Sequence, residues 1–219
     1  MSSREIRIYR DLMGANEKWA AENRALLQTH GLTMLNLIGS PGAGKTALLE
    51  SMVESLNKSL RFAVLEGDIE TTRDAERLDK LDVAVSQLLS GGSCHLEAKL
   101  VNHALVDFPL EDLDLVFVEN VGNMVCPAEF DIGEHAKIAV LSVTEGEDKP
   151  LKYPLLFREA RAVVLTKTDL LPYLDFDLDA CLANIAQVDA SLPVFQVSAK
   201  SDMGVEGFVD WVLQVREGK

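Results

Sequence analysis

Seven apolar runs of strand length recur along the chain, at 34–38, 62–66, 83–88, 115–119, 138–143, 162–166 and 194–197. Most are continuous rather than alternating, the pattern of strands covered on both faces. Between them apolar residues fall at helical spacing, most clearly over 95–106, 178–190 and 207–215. This alternation predicts an α/β fold: a mostly parallel, doubly wound sheet of about seven strands with helices on both faces. Ahead of the first run, Ile6, Tyr9, Met13, Trp19, Leu26 and Leu27 recur at roughly helical spacing among charged residues. They predict an amphipathic helix that ends near Gly31 and packs on the domain's flank. No repeat or linker divides the rest of the chain, so the expected division is a helix over 1–30 and one domain over 31–219.

The first apolar run leads into Gly39-Ser40-Pro41-Gly42-Ala43-Gly44-Lys45-Thr46, and helical composition follows from Ala47. Strand, glycine-rich turn and helix start make the setting of a P-loop. Glycines let backbone N–H groups approach phosphate oxygens, and the helix N-terminus adds partial positive charge. In this reading Lys45 reaches the β- and γ-phosphates, and the Thr46 hydroxyl binds Mg²⁺.

Other strand ends carry matching chemistry. The second ends Glu66-Gly67-Asp68, followed by Ile69-Glu70-Thr71-Thr72, and Asp68 is placed to support Mg²⁺ or orient an attacking water. The fourth ends Glu119-Asn120-Val121-Gly122: Glu119 supports the metal, and the Gly122 N–H faces the terminal phosphate. The sixth ends Thr166-Lys167-Thr168-Asp169. An acid there accepts from N1–H and N2–H₂ of guanine together and is left unpaired by adenine. The Lys167 stem lies along the base, and Ser198-Ala199-Lys200 supplies backbone donors. The set resembles that of P-loop GTPases, with Thr166 where asparagine is usual, and predicts GTP over ATP with one loop-bracing hydrogen bond weakened.

A second constellation sits in Ser90-Gly91-Gly92-Ser93-Cys94-His95-Leu96-Glu97-Ala98. Thiolate beside imidazole suits Ni²⁺ or Zn²⁺, and a helix start at His95 would lower the Cys94 pKa. Cys126, four residues after Gly122, adds a third soft ligand, leaving water, His103 or a second subunit for the fourth. His103 lies eight residues beyond His95, about 12 Å along a helix. Cys181 reads as core, and His30 and His135 read as surface residues. Because Cys126 is so close to the expected phosphate sensor, hydrolysis should alter the metal ligands.

Charge and cysteine usage narrow the partners. Lys plus Arg is 21 against 35 Asp plus Glu, a formal charge of −14, so no nucleic acid or anionic membrane is expected. Three cysteines do not make a disulfide framework. The first residues show no signal-peptide core, and no run is long enough to span a membrane, so a cytoplasmic protein is expected.

Three stretches are similar to one family: Gly92-Ser93-Cys94-His95-Leu96-Glu97-Ala98, Glu119-Asn120-Val121-Gly122-Asn123-Met124-Val125-Cys126-Pro127-Ala128 and residues 142–154. Together they resemble HypB, the GTPase family that assists nickel insertion into [NiFe]-hydrogenase. The resemblance implies a slow GTPase and a homodimer favoured by GTP or metal. It also implies a site of Cys94, His95 and Cys126 at the dimer contact, near Lys152. By the same resemblance the partners are a HypA-type nickel chaperone and the hydrogenase large-subunit precursor. The N-terminal Cys-rich or His-rich motifs of some members have no counterpart here: Cys94 is the first cysteine, and only His30 precedes it. A urease-assembly GTPase is the nearest rival, but it places proline between its cysteine and histidine. A small-molecule P-loop kinase and a non-hydrolysing metal-binding protein are rivals of a different class.

Overall fold

The computed structural model describes residues 3–57, 60–68, 77–81, 83–89 and 91–218. The side chains of Ile6, Tyr9 and Met13, and the whole of residues 69–72 and Ser90, lie outside the described parts. Helix α1 covers Ser3–His30. After it come β1 (Thr33–Ile38), α2 (Lys45–Asn57), β2 (Phe62–Asp68), β3 (Ala84–Leu89), α3 (Ala98–Leu105), β4 (Leu115–Glu119) and α4 (Cys126–Glu129). The second half runs β5 (Ala136–Ser142), α5 (Lys149–Lys152), α6 (Pro154–Glu159), β6 (Ala160–Thr166), α7 (Leu178–Val188), β7 (Val194–Gln196) and α8 (Val205–Arg216).

The strands form one seven-stranded sheet in the order β3-β2-β4-β1-β5-β6-β7, and every pairing is parallel. β1 lies between β4 and β5, so the loop after it opens near the middle of the sheet's carboxyl edge. That is where open α/β sheets place ligands.

Alternation along each strand divides the core in two. Leu35, Leu37, Val64, Phe117, Val140 and Val164 pack with Met52, Phe208 and Val212 of α2 and α8 on one face. Met34, Leu65, Val116 and Val118 turn the other way, toward α1 and α3, through Leu27, Val101 and Leu105. On that same face Leu141, Val163 and Leu165 meet Leu156, Phe157, Cys181 and Ile185 of α6 and α7. Being buried on both sides is why these strands read as continuous apolar runs.

One predicted element moves. The helix expected over 95–106 starts only at Ala98, so Cys94 and His95 lie in the preceding turn. Tertiary contact sets this start, because the Leu96 N–H is taken by Asn120 Oδ1 at 3.3 Å. Among the described residues no helix is long and apolar enough to cross a membrane.

Candidate nucleotide and metal site

The loop after β1 takes its shape from close backbone approach. A Cβ on Gly39 would sit 2.3 Å from Val140 O, and Gly42 and Gly44 hold φ of +74° and +92°. Lys45 opens α2 almost fully buried, its Nζ 3.5 Å from Gly39 O and 3.4 Å from Ser40 O. Thr46 Oγ1 donates to Glu119 Oε1 at 2.8 Å. Gly42, Gly44, Lys45, Thr46 and Glu119 line a cavity of about 330 Å³ together with Asp68, Glu66, Arg77 and Asn120. Hydroxyl and carboxylate oxygens converge here, the donor set a hard cation such as Mg²⁺ takes. Gly122 lines the same cavity, and a Cβ on it would fall 2.7 Å from the Pro41 ring.

A second cavity of about 270 Å³ adjoins the first at Gly44 and Ala47, and Thr166, Lys167, Asp169, Ala199 and Lys200 line it. Thr166, expected to weaken a loop brace, still makes one: its hydroxyl donates to Ala43 O at 2.6 Å, tying β6 to the phosphate loop. One expectation needs correction here. Ser198 does not offer its backbone N–H to the cavity: that group bonds Met203 O at 2.9 Å. Its hydroxyl donates instead to Asp169 Oδ1 at 2.8 Å and so orients the carboxylate. Lys167, at φ 58°, donates through Nζ to Gly42 O at 2.7 Å and lies across the rim.

Cys94, His95 and Cys126 come together. One ligand atom from each lies within 4.8 Å of the others. Cys94 Sγ is 2.7 Å from Cys126 Sγ and 3.7 Å from His95 Nδ1; a tetrahedral cation held about 2.3 Å from each sulfur needs the two sulfurs roughly 1 Å further apart. The His95 ring stacks on Phe130 with centroids 3.8 Å apart, and its buried Nε2 has no hydrogen-bond partner among the described residues. Burial lowers the His95 pKa, which favours the neutral ring that ligates. Cys94 shifts opposite to the expectation. Its hydrogen bond with Cys126, then burial, raises its pKa, and α3 begins four residues further on, at Ala98. His103 is not part of the cluster; it meets Trp19 edge-on at 5.8 Å. His135 is exposed, as expected of a surface residue, and its Nδ1 accepts from Met34 N at 3.1 Å.

Sequence reasoning missed the ties between the two sites. Ser40 Oγ donates to Glu145 and lies 3.2 Å from Met124 Sδ, so the phosphate loop touches the segment leading to Cys126. Gly67, beside Asp68, abuts Leu96, beside His95: a Cβ there would sit 2.8 Å from Leu96 Cδ1. Asn123 Nδ2 donates to Cys94 O at 3.0 Å. Glu145 also accepts from Ser142 N at 3.0 Å, a role within residues 142–154 that the sequence did not disclose. A run of acid and glycine outside any strand or helix was the one available signal.

The three thiols should differ in reactivity. Cys94 and Cys126 are accessible, whereas Cys181 is fully buried and desolvation pushes its pKa from 9.0 to about 11. A thiol so raised holds about a hundredfold less thiolate at a given pH. A thiol reagent is therefore expected to modify two groups in the folded chain, with Cys181 reacting about 100-fold more slowly than a thiol at the ordinary value and appearing on unfolding. Mass mapping of three equally fast sites would contradict this.

Comparison with known proteins points one way. Residues 33–196 match the family described as CobW/HypB/UreG, nucleotide-binding domain. The chain is 49% identical over 216 residues to the hydrogenase maturation factor HypB of Azotobacter vinelandii, covering 98% of this chain and 71% of that protein. It is 47% identical over 214 residues to HypB of Azotobacter chroococcum mcd 1, covering 98% of this chain and 70% of that protein. A crystal structure of HypB from Helicobacter pylori in complex with nickel superposes with a TM-score of 0.88 at 37% identity, covering 93% of this chain and 96% of that one.

Proposed function

This chain belongs to the HypB branch of the CobW/HypB/UreG nucleotide-binding family, and from that membership we propose that it is a GTP-hydrolysing metallochaperone that carries nickel toward a [NiFe]-hydrogenase. The observation that carries the reading is the reach of residues 119–126. Glu119 bonds the phosphate-loop residue Thr46 at one end, and Cys126 meets Cys94 at the other.

The roles follow from placement. Lys45 and the N–H groups of the 39–46 loop hold the phosphates. Thr46, Asp68 and Glu119 would hold Mg²⁺, which supplies charge neutralisation at the β- and γ-phosphates. Asp68 orients the attacking water. Asp169, steadied by Ser198, takes the Watson–Crick edge of guanine. Cys94, His95 and Cys126 take the cargo ion, Ni²⁺ or Zn²⁺.

In this reading the switch lies at Gly122, pressed on Pro41, and at Met124, held near Ser40. A terminal phosphate drawing in the Gly122 N–H shifts the backbone that carries Cys126, and its loss releases it. Exposed Val125, Leu151 and Leu155 favour a second copy of the chain as the surface that completes the ion's coordination. A HypA-type chaperone and the hydrogenase large-subunit precursor are the partners proposed on either side of transfer, in the cytoplasm.

The test is nickel titration with sizing, in GDP and in a non-hydrolysable GTP analogue. Affinity is expected to differ between the two states by roughly 5–150-fold, the usual size of a coupling between sites. Cys94→Ala is expected to weaken nickel by more than the roughly 10–100-fold typical of losing an outer-shell partner, with GTP hydrolysis retained. Equal affinity in both nucleotide states would reject the coupling.

A further inference from the structure

Helix α1 reaches the segments that flank the metal cluster through two asparagines. Residues 16, 20, 23 and 27 share its buried face: Ala20, Asn23 and Leu27 are 0% exposed and Asn16 is 9% exposed. Buried asparagines are costly in a helix interface unless their amides are satisfied. Here each amide bridges two other segments. Asn16 Oδ1 accepts from Ala98 N at 3.0 Å, and its Nδ2 donates to Asp131 O at 2.7 Å. Asn23 Nδ2 donates to Ala98 O and to Ile132 O, both at 2.9 Å, while its Oδ1 accepts from Asn102 at 2.9 Å.

The two bridged segments are those that carry the ligands. Ala98 begins α3, four residues after Cys94 and three after His95. Asp131 lies five residues after Cys126 and next to Phe130, on which the His95 ring stacks. Glu97, the residue that should cap α3, makes no side-chain cap bond, and Asn16 satisfies the Ala98 N–H from another helix. The loop is also pressed directly on α1. Gly133 has φ +89°, and a Cβ there would lie 2.7 Å from Ala20 O and from Asn23 Cβ.

We propose that α1 is a positioning element of the metal site: Asn16 and Asn23 fix the distance between the segment bearing Cys94 and His95 and the segment bearing Cys126. The inference rests on the metal reading above. An apolar stripe alone would let α1 slide by a turn; a buried amide bonded on both sides holds one register. The ligand set is thereby spaced before the ion arrives, which is how outer-shell groups raise metal affinity.

Co²⁺ is the probe, because its electronic spectrum reports both thiolate ligation and coordination geometry. The full chain is titrated as wild type, Asn23→Leu, Asn16→Asp and Trp19→Phe. Asn16→Asp keeps the acceptor for Ala98 N and loses the donor to Asp131 O, so it tests the clamp even where Asn23→Leu fails to fold. Trp19→Phe disturbs the α1–α3 packing at His103 and Lys99 without touching either amide. Both asparagine variants are expected to bind Co²⁺ about 10–100-fold more weakly, with shifted ligand-field bands and metal-free GTP hydrolysis unchanged. Trp19→Phe is expected to match wild type. Wild-type affinity and spectrum in the asparagine variants overturn the proposal, as does an equal loss in Trp19→Phe. A wild-type chain that binds no Co²⁺ sinks the metal reading itself, which is a separate outcome.

Discussion

Lys45→Ala is expected to slow single-turnover GTP hydrolysis by at least about 10²–10³-fold, the range seen when one preorganised donor to a developing charge is removed. The size follows from the setting. The chain carries a formal charge of −14, and the phosphate cavity is itself lined by Glu66, Asp68 and Glu119. A triphosphate entering it meets two cations among the described lining residues, Lys45 and Arg77, and Arg77 already pairs with Glu50 at 2.5 Å. Lys45 is 6% exposed, so its charge acts at low effective dielectric. The backbone N–H groups remain in the variant, so nucleotide should still bind, more weakly, and the fold should survive. Quenched-flow measurement with labelled GTP and excess protein checks this. A rate within twofold of wild type would remove Lys45 from the chemistry.

The sheet was legible in the sequence because all its strands are parallel and most are buried on both faces, which leaves continuous apolar runs. The phosphate loop was legible because positive φ at Gly42 and Gly44 demands glycine at fixed positions. What stayed hidden depends on partners distant in sequence. Asn16 and Asn23 look like ordinary polar residues of a surface helix, and only the loop at 131–133 lying against them reveals buried amides. The start of α3 was misplaced because nothing local marks it; Asn120 and Asn16 take the N–H groups of Leu96 and Ala98 from other parts of the fold. The raised Cys94 pKa has the same origin, since it depends on a sulfur 32 residues away. Thr166 was read as weakening the brace because the usual asparagine of P-loop GTPases was the comparison. Its hydroxyl still reaches Ala43 O, so the brace survives in shorter form.

Asn120 extends this picture. It follows Glu119, takes the Leu96 N–H, and donates to Asn36 Oδ1 at 3.1 Å. Asn36 in turn donates to Glu134 Oε1 at 3.1 Å, and nearby Lys137 donates to Ala128 O at 2.7 Å, two residues past Cys126. Desolvation raises the pKa of the buried Glu134. A polar line thus crosses the buried face of β1 between the two ligand-bearing segments. Such groups are stable only when every bond is made, so the line favours one arrangement of those segments over a continuum of them.

Asp169→Asn is expected to lower GTP affinity by about 10²-fold or more and to shift preference toward xanthosine triphosphate, because leaving buried hydrogen-bonding groups unmatched costs about 1–3 kcal/mol each. The carboxylate offers two acceptors, which match the N1–H and N2–H₂ donors of guanine. An amide offers one acceptor and one donor, so its N–H₂ would face the guanine amino group. Xanthine keeps N1–H but carries a carbonyl at C2, and the amide matches it. The substitution is nearly isosteric, and the amide oxygen can still accept from Ser198 Oγ, so the loop should keep its shape. The walls around the base, Ala47, Leu48, Leu170 and Val197, are untouched and contribute packing that does not tell one purine from another. On the proposed reading, the discrimination comes from the edge of the base that Asp169 would face. Competition among GTP, ATP and xanthosine triphosphate for the wild type and the variant measures it. Unchanged GTP-over-ATP preference in the variant would move base selection away from Asp169, to the backbone of Ala199 and Lys200.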